Sequence, residues 1–283
     1  MTEPQALTTE ALLVAAAASL TVDTPRLDAE LLLEAVTGWS RTSFRAWPER
    51  VPEPSCQRAF HTLLTRRQQG EPIAHILGSQ DFWSLTLKVN THTLIPRADT
   101  ECLVEAVLDL PLPQTARAVD LGTGTGAIAL ALAKERPGWA VMATDRVPEA
   151  VALATANASQ LGVGRVTVIQ SRWFDQLPAG RFDVIVSNPP YIPADDIHLT
   201  QGDVRYEPAS ALVAGDDGLD DLREIIATAP RWLNTGGWLV VEHGYDQQAA
   251  VQALFQAAGF QAIETRRDYG GNPRLTLGTH HAE

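Results

Sequence analysis

The sequence predicts an α/β protein: a doubly wound, mostly parallel, Rossmann-like sheet of seven strands, with a small N-terminal helical domain and a linking β-hairpin before it. Three observations carry this. From Ala116 to the C-terminus, short apolar runs alternate with longer segments of helical spacing, the pattern of consecutive βαβ units. Runs such as "FDVIVS" and "GWLVVEH" are apolar on both faces, as strands covered by helices on either side must be. Ahead of about residue 70 the spacing is helical throughout.

Taken in order, Gln5 to about Gln69 reads as helical. "LDAELLLEAV" (Leu27–Val36) follows Thr24-Pro25, a helix start signal, and "SCQRAFHTLLTRRQQG" predicts a helix with Ser55 as candidate cap and Gly70 as its stop. The period changes in "EPIAHILGSQDFWSLTLKVN", where Ile73–Leu77 and Phe82–Val89 are β-rich runs parted by Gly78, predicting a hairpin. "LIPRADTECLVEAVLDL" is an extended segment running into a helix, and Pro111 and Pro113 mark the next boundary. The strands "RAVDLG", "WAVMATD", "RVTVIQ", "FDVIVS" and "GWLVVEH" follow, interleaved with helices in "GAIALALAKERPG", "PEAVALATANASQLG", Leu219–Trp232 and "DQQAAVQALFQAAG". "FQAIETRR" and "RLTLGTH" close the chain with no helix between them, so one of them is expected to run antiparallel. The expected domains are a helical domain over 1–71, a hairpin linker over 72–95 and the α/β domain over 96–283.

Composition bounds the function. With 283 residues, 45% of them hydrophobic, the chain can bury a sizeable core and is not disordered as a whole. The longest apolar run, "ALLVAAAASL" (Ala11–Leu20), is too short to span a bilayer, and Glu3 and Glu10 ahead of it are wrong for a signal peptide. Cys56 and Cys102 alone do not make a disulfide framework, and a cytoplasmic location is expected. The net charge of −12 is concentrated in residues 81–283, which carry −10 of it, and no basic cluster marks a nucleic-acid surface. A small molecule or a protein, a basic one included, is the expected partner, with no direct nucleic acid, no membrane and a monomeric chain.

The first chemical motif is "VDLGTGTGA" (Val119–Ala127). Gly122, Thr123, Gly124, Thr125 and Gly126 lie between the first strand of the alternating region and its helix, where the backbone turns tightly and can approach a ligand. Asp145 ends the next strand, where a carboxylate can accept ribose hydroxyls. An ordinary βα turn and a dinucleotide site both remain compatible, since the glycines also fit G-x-G-x-x-A.

The second motif is "SNPPYIP" (Ser187–Pro193), at the carboxyl end of the fourth strand, where open α/β sheets bind their ligands. A purely structural proline turn is one reading. The other follows from the parts: proline carbonyls unmatched by N–H donors, the side-chain oxygen of Asn188 and the ring of Tyr191 suit a planar NH₂ group. Asn188 and the Pro189 carbonyl would accept its two N–H bonds, and Tyr191 would pack on its face.

Together "DLGTGTG", Asp145 and "NPPY" resemble the S-adenosylmethionine-dependent amino-group methyltransferases. The whole chain, through "TLIPRADTE", "SRWFDQL" and "GDVRYEPASALVAGDDGL", resembles the glutamine-N5 methyltransferases of peptide-chain release factors, the PrmC or HemK family. The resemblance implies a methyltransferase sheet and S-adenosyl-L-methionine as donor, leaving S-adenosyl-L-homocysteine. It implies as protein substrate a class I release factor, methylated on the glutamine of its Gly-Gly-Gln loop. On this resemblance Gly122–Gly126 line the methionine and ribose, Asp145 binds the ribose, and Trp173 lies by the adenine. Asn188, Pro189, Pro190 and Tyr191 hold the glutamine amide. Arg172 departs from the family, in which an acidic residue commonly precedes "WF". A DNA or RNA amino-group methyltransferase shares NPPY and is the alternative enzyme; a non-catalytic cofactor-binding partner of the translation machinery is the third reading.

The other polar clusters are read as structural. The seven histidines show no metal spacing, so no metal is expected; His280-His281 is read as a solvated terminal pair, and His75 and His243 as core or rim residues. Arg97 and Glu101 are read as a structural pair, and the acid-rich stretch from Asp195 to Glu224 as a solvated loop and helix start that could also attract a basic partner.

Overall fold

The computed structural model describes residues 7–163 and 165–281. They fall into two compact units, one reaching to Ser79 and taking in Thr200–Tyr206, the other made of Gln80–Leu199 and the chain from Glu207 on.

The first unit is helical: α1 (Thr9–Ser19), α2 (Pro25–Thr37), α3 (Arg41–Ala46), α4 (Pro54–Gln68) and α5 (Ile73–Leu77). The expected start at Gln5 lies outside the described residues. Thr8 caps α1, its hydroxyl accepting from the Ala11 N–H at 3.3 Å. Pro25 opens α2 and Gly38 closes it in the left-handed region. Helix α4 begins one residue before Ser55, so the cap position is Glu53, and no side chain caps it. Leu12, Leu13, Leu32, Leu33, Phe44 and Phe60 fill the core. Ile73–Leu77, expected as the first hairpin strand, is a helix. Ile73, Ile76 and Leu77 all turn to this core, a spacing that only a helical turn can satisfy. Arg67 is buried and donates to Asp28 and to Asp203, both at 2.7 Å. Asp203 belongs to "DVRYEP", so part of that motif folds with the helices rather than with the sheet.

In the second unit the two-stranded sheet is β1 (Ser79–Phe82) with β2 (Leu85–Lys88). A 3₁₀ turn (Ala98–Thr100) then leads into α6 (Glu101–Leu108). The main sheet contains β3 (Arg117–Leu121), β4 (Ala140–Asp145), β5 (Val166–Gln170), β6 (Phe182–Ser187), β7 (Leu233–Glu242), β8 (Gln261–Arg267) and β9 (Pro273–His280). Its order is β5-β4-β3-β6-β7-β9-β8, and β9 alone runs antiparallel to its neighbours. Helices α7 (Ala127–Glu135), α8 (Pro148–Gln160), α9 (Asp220–Thr228) and α10 (Gln248–Ala257) cover it. The two-residue period divides the strands between two cores: Ala118, Val184, Val186 and Val240 pack with α6 and α7, while Val119, Ile185, Leu239 and Val241 pack with α9 and α10. The helix expected over Leu219–Trp232 is α9 followed by a 3₁₀ turn at Ala229–Arg231.

The topology fixes where a ligand can sit. The chain leaves β3 to one side for β4 and β5, and returns on the other side for β6 and β7, so the switch point lies between β3 and β6. Leu121 is in register with Ser187 and with Thr144. The next residues, Gly122, Asn188 and Asp145, therefore leave three adjacent strands at one level.

Candidate functional site

At this switch point a cleft holds about 890 Å³ of space, open solvent included. The residues after β3, β4 and β6 form its floor, and the segment before α6 and the loop after the NPPY turn contribute walls. Gly122, Thr123, Gly124, Thr125, Asp145, Trp173, Asn188 and Pro190 line it; Gly126, Pro189 and Tyr191 do not.

Why the β3–α7 turn needs glycine is visible at Gly122. Its φ is +73°, a region costly to any residue with a Cβ. A Cβ there would also stand 3.0 Å from Cζ3 of Trp173. The indole thus packs directly on the turn's backbone, inside the cleft. Gly126 serves packing instead: a Cβ on it would press on Leu130 and Ala154 at 3.1 and 3.3 Å.

Two carboxylates brace the turn from below. Asp120 is fully buried on β3; its Oδ2 accepts from the Thr123 hydroxyl at 2.6 Å and from the Ala129 N–H at 3.2 Å, and Oδ1 is unpartnered. Burial pushes its carboxyl up to about 7. Asp145 accepts from the Gly124 N–H through Oδ2 and from the Val147 N–H through Oδ1, both at 2.9 Å. Burial raises this carboxyl too, against the opposing pull of those two N–H groups. Asp145 therefore ties the β4 end to the glycine turn while standing in the cleft wall.

Trp173 adopts a left-handed φ of +45° and is buried, a strained arrangement for a bulky residue. The preceding Arg172 also lines the cleft and forms a two-pronged ion pair with Glu224, so position 172 offers the adenine no acidic side chain.

Asn188 donates through Nδ2 to the Thr100 hydroxyl at 3.1 Å. Tyr191 is turned the other way, its hydroxyl 3.2 Å from Glu242 Oε1 and its carbonyl accepting from Gln247 Nε2 at 2.9 Å. Burial raises the Tyr191 phenol far above its ordinary value, and the Glu242 charge adds to it.

Thr93, Leu94, Pro96, Thr100, Ser210 and Ala211, none of them singled out from sequence, also line the cleft, as does Arg97, which sequence read as structural. Their signal lay in "TLIPRADTE" and "EPASALV", polar stretches that follow neither period. Arg97 and Glu101 do not pair with each other. Arg97 pairs with Glu207 at 2.5 Å, and Glu101 accepts the Trp83 N–H. His243 is fully buried, bonded to Thr276 and the Gly244 carbonyl. His280 is not a solvated terminal residue but lies in β9, half-buried near the Phe260 ring. Much of the acid between Asp195 and Glu224 is internally paired: Asp196 with His198, Asp217 and Asp220 with Arg223, Glu224 with Arg172. Among the described residues no group of three or more His, Cys, Asp or Glu is placed to hold a metal ion, and no helix is long and apolar enough to cross a membrane.

Comparison with known proteins agrees with this geometry. Residues 9–78 match the PrmC N-terminal domain, and residues 98–203 match the methyltransferase small domain. The chain is 58% identical to a release factor glutamine methyltransferase of Pseudomonas aeruginosa, over 89% of this chain and 92% of that one. It is 52% identical to the Escherichia coli protein of the same name, over 92% and 94%. Among solved structures, a methyltransferase from Pyrococcus furiosus superimposes with a TM-score of 0.55 at 16% identity, covering 77% of this chain and 98% of that one. The hMettl16 catalytic domain superimposes with a TM-score of 0.59 at 16% identity, covering 89% and 91%. At such identity these two bear on the fold alone.

Proposed function

The chain belongs to the release factor glutamine methyltransferases, and we propose that it transfers a methyl group from S-adenosyl-L-methionine to the side-chain amide nitrogen (N5) of the glutamine in the Gly-Gly-Gln loop of class I release factors. One observation carries the reading: the glycine turn, Asp145 and Asn188 leave three adjacent strands at one level around one cleft.

The residues present fit the donor. Gly122 and Gly124, both at positive φ, leave backbone open to close approach. Asp145 offers carboxylate lone pairs beyond the two its backbone bonds use, suited to ribose hydroxyls. The Trp173 ring supplies an apolar wall for the adenine. When bound, S-adenosylmethionine supplies a methyl already activated on a sulfonium.

What the chain must add is position. An amide nitrogen is a poor nucleophile because its lone pair is delocalised into the carbonyl. With Nδ2 of Asn188 engaged by Thr100, Oδ1 is free to accept one substrate N–H; the Pro189 carbonyl, in the turn between the lining residues Asn188 and Pro190, is assigned the other. Two fixed acceptors turn the nitrogen lone pair toward the donor site and draw density onto it. Pro190 shapes the floor, and Tyr191 braces the turn from behind through Glu242. No side chain is assigned as general base: Asp145 is held by backbone N–H groups, Glu242 is buried behind the turn, and the proton leaves to water.

The helical unit, without any cofactor motif, is assigned to recognising the release factor. A monomeric, cytoplasmic enzyme that takes a protein rather than a nucleic acid is consistent with the net charge of −12. Incubation with labelled S-adenosylmethionine and, separately, release factor, DNA and RNA tests the reading. Label is expected in the release factor; label in DNA or RNA alone overturns it in favour of a nucleic-acid amino-group methyltransferase, and label in none makes the chain a binding partner.

A further inference from the structure

We propose that Arg97 is a substrate-binding residue: its guanidinium, held in place by the buried Glu207, donates to backbone carbonyls of the protein loop that brings the glutamine to Asn188. The inference rests on the reading of the cleft as a glutamine-amide site, and adds to it the recognition of the chain that carries the glutamine.

Arg97 follows Pro96, which fixes its own φ and carries no N–H. The segment is gripped instead on either side of the proline. Glu207 Oε1 accepts from the Ile95 N–H at 2.8 Å, and Oε2 accepts from Arg97 Nη2 at 2.5 Å. The Glu207 side chain is fully buried, whereas the Arg97 side chain is 37% exposed and lines the cleft. Among the described residues this is the one hydrogen bond of the guanidinium, so most of its N–H donors remain for a ligand. The backbone sets Arg97 beside the amide site. It leads into the 3₁₀ turn, its carbonyl accepting from the Thr100 N–H at 3.1 Å. The Thr100 hydroxyl accepts from Asn188 Nδ2, also at 3.1 Å. One turn of chain thus separates Arg97 from the residue that steadies Asn188, and all three line the cleft. A loop that delivers a side-chain amide to Asn188 passes within reach of a long side chain at this position.

The pairing with Glu207 decides the ligand. With its charge already matched by a carboxylate, the guanidinium gains less from a second carboxylate, such as the donor's own, than an unpaired arginine would. It keeps a planar set of donors suited to neutral carbonyls. In a Gly-Gly-Gln loop the two residues ahead of the glutamine have no side chains, so their carbonyls are open to close approach. Glu207 also fixes the guanidinium before the loop arrives, so less rotamer freedom is lost on binding.

The test measures KM and kcat for release factor, and Kd for S-adenosylmethionine, in two full-length variants: Arg97→Lys, and Arg97→Met combined with Glu207→Gln. The double variant removes both charges, so no buried carboxylate is left alone. Lysine keeps a cation for Glu207 but lacks the fork. The double variant should raise KM about ten- to a hundredfold, the worth of one hydrogen bond from a charged donor. Its kcat and its Kd for S-adenosylmethionine should stay within about threefold of wild type, as for an interaction made equally in the ground and transition states. Arg97→Lys should raise KM less than the double variant does, but by at least about threefold. Unchanged KM in either variant, once folded, overturns the proposal. So does a loss confined to kcat, or a rise confined to the Kd for S-adenosylmethionine, which would assign the guanidinium to the donor's carboxylate. A second readout needs no turnover: the Kd of release factor for enzyme loaded with S-adenosylhomocysteine should rise in the double variant by the same factor as KM. If the wild type methylates no glutamine, the reading of the reaction fails, and this Kd still decides whether Arg97 holds the loop; an unchanged value refutes it.

Discussion

Gly122→Ala adds one methyl group at the point where the glycine turn and Trp173 meet. The left-handed φ of +73° costs an alanine about 1–2 kcal/mol. The new Cβ would stand 3.0 Å from Trp173 Cζ3, so one side must give by a few tenths of an ångström. Trp173 has little room to do so: it is 7% exposed, itself at positive φ, and followed by Phe174, which stacks on Trp232 with centroids 5.8 Å apart. Forcing the indole off its rotamer adds roughly 1 kcal/mol. A total of about 2–3 kcal/mol corresponds to a Tm lower by about 5–10 °C for a domain of this size. Because the indole is also the proposed adenine wall, the Kd for S-adenosylmethionine should rise at least tenfold, about 1.4 kcal/mol. Thermal unfolding and titration calorimetry read the two effects separately. A variant with wild-type Tm and a Kd within twofold of wild type would refute both the close-approach argument and the place given to Trp173.

Asp145→Ala should weaken S-adenosylmethionine binding by about 1.5–3 kcal/mol, the worth of a charged acceptor, and leave the fold intact; unchanged affinity by calorimetry would remove Asp145 from the site. Arg67→Ala leaves the buried Asp28 carboxylate unpaired, and a loss of about 3–5 kcal/mol in unfolding free energy is expected; a loss below 1 kcal/mol would mean that Asp28 is solvated after all. Asp120 titrates at about 7 in the folded chain against an ordinary 3.8, so the folded state holds a proton that the unfolded chain has released between those values. The stabilisation is full below pH 3.8 and lost as pH rises through about 7, by a few kcal/mol. Asp120→Asn should flatten that slope, read by urea unfolding at pH 5 and pH 8; an identical slope would show that Asp120 is ionised in the fold.

The sheet was legible because its central strands are apolar on both faces and alternate with segments of helical spacing. The missing helix between "FQAIETRR" and "RLTLGTH" even gave the antiparallel closure. Ile73–Leu77 was misread because five apolar-rich residues between Pro72 and Gly78 fit a strand and a helical turn alike. Only the core that receives Ile73, Ile76 and Leu77 decides. Within the cleft, sequence found the residues at the strand ends, since "LGTGTG" and "SNPPY" are conspicuous where they stand. It found neither Thr100, which looks like a helix start yet accepts from Asn188 Nδ2, nor Glu242, which looks like the end of a strand and meets the Tyr191 hydroxyl through a register between β6 and β7 that no local pattern encodes. Tyr191 shows the reverse limit: a ring read as facing the ligand is turned behind the turn by a carboxylate 51 positions away.

The central claim is that the turn after β6 holds a glutamine amide for methylation. Fragmentation mass spectrometry of a release factor incubated with the enzyme and S-adenosylmethionine tests it directly, in the wild type and in Asn188→Ala. The expected product carries one methyl on the side-chain nitrogen of the glutamine in the Gly-Gly-Gln loop. In Asn188→Ala the rate of its formation falls on the order of 10²–10³, while cofactor affinity falls far less. A methyl on any other residue, or near-normal turnover in Asn188→Ala, would contradict the account.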